Sequence, residues 1–87
     1  MRYLILCRSL TYAQKAAAVL ERRGIRAGVV KAPQRLRDRG CGYALSLTRR
    51  FPEAVAVLRE QQLLTGRLYQ REENGDYREV MEHDIPG

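Results

Sequence analysis

Eighty-seven residues with 16 Lys or Arg against 10 Asp or Glu, a net charge of +6, describe one small basic domain and leave no room for a second. No apolar run reaches the ~18 residues of a membrane span and no secretory leader pattern stands before the first strand, so a soluble, cytoplasmic protein is expected. Two cysteines are too few for a disulfide scaffold. Without CxxC or HxxxH spacing they imply no metal centre, and the single histidine, His83, leaves a hydrolase without its acid–base groups.

The charge is uneven along the chain. Residues 72–87 hold six carboxylates against Arg78, a net −5, which leaves +11 on residues 1–71 and +5 on residues 31–50 alone. The division suggests a folded domain over 1–71 and an acidic hairpin or disordered tail over 72–87, and the basic body implies an anionic ligand or partner.

In chain order, residues 3–7 (YLILC) form a short apolar run without polar alternation, the pattern of a central strand covered on both faces. Thr11 and Gln14 match a capping box that would open a helix. Ala13, Ala16, Ala17 and Leu20 then give that helix one small-residue face, and Gly24 ends it. Residues 25–30 are apolar and β-branched enough for a second strand, ended by Pro33. A polar, arginine-rich loop follows over 33–40, with room for one helical turn. Residues 43–48 alternate large and small apolar side chains, which predicts a third strand. Pro52 suits the first turn of a second helix, striped by Phe51, Val55 and Leu58. Residues 64–70 read as a fourth strand, Asn74-Gly75 as a turn between Tyr69 and Tyr77, and residues 76–81 as a short edge strand or tail.

The order βαββαβ is that of a ferredoxin-like α+β sandwich: a four-stranded antiparallel sheet ordered 4-1-3-2, two helices on one face, and room for an extra C-terminal hairpin strand. The doubly apolar first strand needs cover on its second face too. Either the tail or a second copy would supply it, so a homodimer through the open sheet face is expected.

The chemistry centres on Gly40-Cys41-Gly42, approached through Arg35, Arg37 and Arg39. Cationic neighbours favour the thiolate, and flanking glycines let another molecule approach the backbone. In the expected fold the end of the first strand and the start of the third share one sheet edge. That brings Cys7, Arg8, Ser9 and the first helix's leading turn, with Thr11, towards Cys41, and a helix N-terminus favours an anion. The competing reading is a tight turn that carries a passenger cysteine. Cys7 reads first as a small core hydrophobe and second as a resolving thiol for Cys41.

The YLILCRS strand end, the alanine-rich helix ending ERRGI, and the proline loop leading to Cys41-Gly42-Tyr43-Ala44-Leu45 together resemble the Se/S carrier protein-like family of small bacterial proteins, over roughly residues 2–69. The resemblance implies a carrier that holds sulfur or selenium on Cys41 as a persulfide or selenopersulfide. Such a carrier passes the element from a donor such as a cysteine desulfurase to an acceptor protein, as a cosubstrate and without a cofactor. A second cysteine and the arginine-rich loop depart from the family pattern. The alternative, from a different class, is a basic nucleic-acid-binding or protein-interaction module without chemistry. Nucleic acid is the less favoured partner there, because the aromatic signature of base-stacking sheets is absent, there is no tryptophan, and Tyr3 and Tyr43 fit the core.

Overall fold

The computed structural model describes residues 2–39 and 42–81, with backbone alone at 37–39. Strands β1 (Tyr3–Cys7), β2 (Gly28–Lys31), β3 (Tyr43–Leu47), β4 (Leu68–Arg71) and β5 (Tyr77–Val80) form one antiparallel sheet ordered β2-β3-β1-β4-β5. Two helices, α1 (Leu10–Arg22) and α2 (Phe51–Glu60), lie on one face. The inner order β2-β3-β1-β4 is the one the element sequence predicts, and β5 extends it beyond β4 through the Asn74-Gly75 turn, where Gly75 takes φ +91°.

On the helix face, Ile5, Cys7, Leu45, Leu47 and Leu68 meet Ala13, Ala16 and Leu20 of α1 and Phe51, Ala54, Val55 and Leu58 of α2. The alanines of α1 let it lie close on the sheet. Tyr3 stacks on Phe51 with ring centroids 4.1 Å apart, at 7° between planes.

Among the described residues, the cover of the sheet's second face comes from the segment between β2 and β3, with Tyr77 of β5 packed beside it. Between β2 and β3 the chain leaves the sheet edge, forms a 3₁₀ helix over Gln34–Arg39, and returns at Gly42, whose carbonyl accepts the Ala32 N–H at 2.8 Å. Closely tied ends around a short packed excursion are the mark of an Ω-type loop. Leu36 and Ala32 from this segment bury themselves on Leu4, Leu6, Ala44 and Tyr69. The Tyr69 hydroxyl in this cluster is buried without a hydrogen-bond partner among the described residues. The expectation of an open face fails because one leucine among arginines gives no periodic signal.

Three element boundaries differ from the sequence reading, each for a local reason. α1 is capped by Ser9, whose Oγ accepts the Tyr12 N–H at 3.2 Å, and Thr11 sits inside the helix. Ile25, expected in the second strand, instead completes the end of α1: its N–H bonds the Leu20 carbonyl and Gly24, at φ +76°, bonds Glu21. That is the Schellman pattern. β4 begins at Leu68 and not at 64, because residues 63–66 are still crossing from α2 to the sheet.

α2 ends with the same two bonds, Leu63 N–H to Leu58 and Gln62 N–H to Arg59, but its left-handed residue is Gln62, at φ +59°. Glycine carries no Cβ penalty there. Gln62→Gly is therefore expected to stabilise the fold by about 0.5–1 kcal/mol after the unfolded-state entropy of glycine is counted. A thermal melt should rise by roughly 3–6 °C for a domain of this size.

Candidate functional site

The β1–β3 register sets Cys7 opposite Tyr43, so the end of β1 and the start of β3 share one end of the sheet. Gly42 lies there, and no atom of the other described residues, its chain neighbours aside, comes within 4 Å of where its Cβ would stand. Its φ is not in the left-handed region, so the backbone conformation there does not itself require glycine. Arg8 and Ser9 follow Cys7 directly and lead into α1.

Each of these residues has a defined setting. The Arg8 N–H donates to Thr65 Oγ1 at 3.2 Å, and its guanidinium sits 5.2 Å from the centre of the Tyr12 ring, with the Lys15 ammonium 5.8 Å from the same ring. Two cations on one ring keep positive charge beside the first turn of α1. The Ser9 hydroxyl is occupied in capping, while the amides of Leu10 and Thr11 precede the first intrahelical bond, where a helix favours negative charge. Cys7 is 2% exposed, inside the helix-side core, its thiol donating to the Ile5 carbonyl at 3.5 Å.

Arg35 is not brought to this end. Its guanidinium is ion-paired with Asp76, in the β4–β5 turn at the opposite end of the sheet. Gly40 and Cys41 lie outside the described residues, and so do the side chains of Arg37 and Arg39. Sequence reasoning missed Thr65 and Asp76, which anchor Arg8 and Arg35 from 57 and 41 residues away. No local pattern encodes such distant pairings.

Among the described residues no group of three or more His, Cys, Asp or Glu side chains is placed to hold a metal ion, and no helix is long and apolar enough to cross a membrane. The fold and this glycine-edged sheet end define a small α+β protein with two helices on a five-stranded antiparallel sheet, open for contact beside a helix N-terminus. The family model described as "Putative Se/S carrier protein-like" matches residues 2–70, and the chain belongs to that family. No curated protein and no solved structure matches the chain.

Proposed function

We propose that the protein is a sulfur or selenium carrier of ferredoxin-like architecture with one added strand, and that Cys41 is the carrying residue. The observation that carries this reading is the family match, which runs through the Cys41 segment from end to end. The surroundings support it: Arg8 and Lys15 on Tyr12, the first amides of α1, and the open backbone at Gly42 all gather at the sheet end where the loop returns. The cations and the helix amides favour an anionic sulfur over a neutral one, and the open backbone gives a partner access.

In the transfer step the Cys41 thiolate attacks the outer sulfur of a donor persulfide. The donor's S–S bond breaks, the donor leaves as its thiolate, and the outer sulfur with its proton stays on Cys41. No net oxidation occurs, so no redox cofactor is required. The acceptor takes the sulfur by the same exchange. Cys7, deep in the core, serves as packing in this scheme.

Incubation with a cysteine desulfurase and cysteine is expected to add one sulfur to the wild-type chain, read by intact mass. Cys41→Ser is expected to abolish the addition and Cys7→Ser to leave it. Equal loading of wild type and Cys41→Ser would overturn the assignment.

A further inference from the structure

The end of the sheet opposite Cys7 carries a row of arginines. Arg26, Arg49 and Arg2 stand just beyond the paired residues of β2, β3 and β1, and Arg71 is the last residue of β4, so the four fall on neighbouring strands in spatial order. At the ~4.8 Å strand spacing the row is about 15 Å long. The Arg71 N–H donates to the Arg2 carbonyl at 2.8 Å, holding the last two in place. In the helix layer above, Arg50 donates to the Gly24 carbonyl at 2.9 Å and so ties the β3–α2 turn to the end of α1, where Arg22 and Arg23 stand.

Arg2, Arg22, Arg23, Arg26, Arg49 and Arg71 are all exposed, and none makes an ion pair among the described residues. Of the nearby acids, Glu53 pairs with Arg50, Glu72 with Arg78 and Asp76 with Arg35, so among the described residues Glu21 and Glu73 alone stand against these six arginines. An open groove of about 930 Å³ on this end is lined by Arg2, Thr48, Gln70 and Arg71, with Glu72, Glu73 and Asn74 at its β4–β5 turn side. A protein-binding patch would need apolar anchors at its centre. The exposed large apolar side chains are elsewhere, Leu10 and Met81 towards the Cys7 end and Val29 and Val30 on the β2 edge.

We infer that this arginine end binds the phosphate backbone of a nucleic acid, without reading its bases. Guanidinium forks match phosphate oxygens, and a row of uncompensated cations with no exposed ring offers backbone contact and no stacking. This is not the sheet-face mode weighed for the sequence, because that face is closed by Leu36. The inference stands whether or not Cys41 carries sulfur.

The test is fluorescence anisotropy with labelled RNA and DNA duplexes at 50 and 200 mM salt. Contact with five or six phosphates predicts a log–log salt slope of about −4.5 to −5.5. The triple variant Arg2→Gln, Arg26→Gln, Arg49→Gln should weaken binding at least tenfold and flatten the slope by about 2–3, whereas Lys15→Gln, Lys31→Gln, Arg59→Gln, equal in charge, should change affinity less than about threefold. RNA and DNA binding within about threefold of each other supports a backbone reader, and a preference above tenfold overturns it. Absence of binding at 50 mM salt, equal weakening in both triple variants, or tighter binding of a polyglutamate peptide also overturns the inference. If the first variant melts early, Arg49→Gln alone decides by a slope change of about one.

Discussion

Replacing Gly66 by alanine is expected to lower the melting temperature by roughly 10–20 °C, from a cost of about 2–4 kcal/mol. A Cβ at this position would stand 2.2 Å from the Leu6 carbonyl oxygen and 2.7 Å from its carbon. Both are backbone atoms of the central strand, held by β3 on one side and β4 on the other. They cannot swing aside as a side chain would. The Leu6 N–H also bonds the Arg67 carbonyl at 2.9 Å, the residue next to Gly66, so relief of the clash breaks the entry to β4. Against a total stability of about 5–10 kcal/mol for a chain this small, Gly66→Val should leave little folded protein. Differential scanning calorimetry of Gly66→Ala checks this, and a shift under about 3 °C would show the crossing to be loose.

Leu36→Ala is expected to cost about 2–4 kcal/mol, read from urea denaturation midpoints. Leu36 is 5% exposed and closes the second face over Leu4, Leu6, Ala44 and Tyr69. Its neighbour Arg35 anchors the same segment to Asp76, yet both partners are more than half exposed. Arg35→Ala should therefore cost under about 1 kcal/mol. The contrast separates two accounts of how the loop is held. If the two variants were equally damaging, the ion pair would share the work; burial predicts that the leucine dominates.

The elements most legible in the sequence are those whose signal is local. The doubly apolar β1, the alanine face of α1, Pro52 at the start of α2 and the Asn74-Gly75 turn all follow from patterns a few residues long. What escaped needed distant partners. Ile25 looked like a strand residue because β-branching says nothing about a helix-ending bond to Leu20. Leu36 looked like a stray apolar residue because its four burial partners come from three strands. Of the expected site residues, Arg8, Ser9, Thr11 and Gly42 do share one end with Cys7, since strand order alone dictates it, while Arg35 is drawn away by a carboxylate in another turn. The arginine row was likewise hidden, since its members are scattered from Arg2 to Arg71 and only the register aligns them.

Tyr69 buries a phenol oxygen without a partner among the described residues, in the cluster that Ala32 and Leu36 complete. An unpaired buried hydroxyl of that kind costs about 1–3 kcal/mol, which exposure to solvent would return. Lifting of the loop is therefore partly self-compensating, whereas parting of the two helices from their own face is not. Opening at Ala32 and Leu36 should come before any parting of the helix-side core.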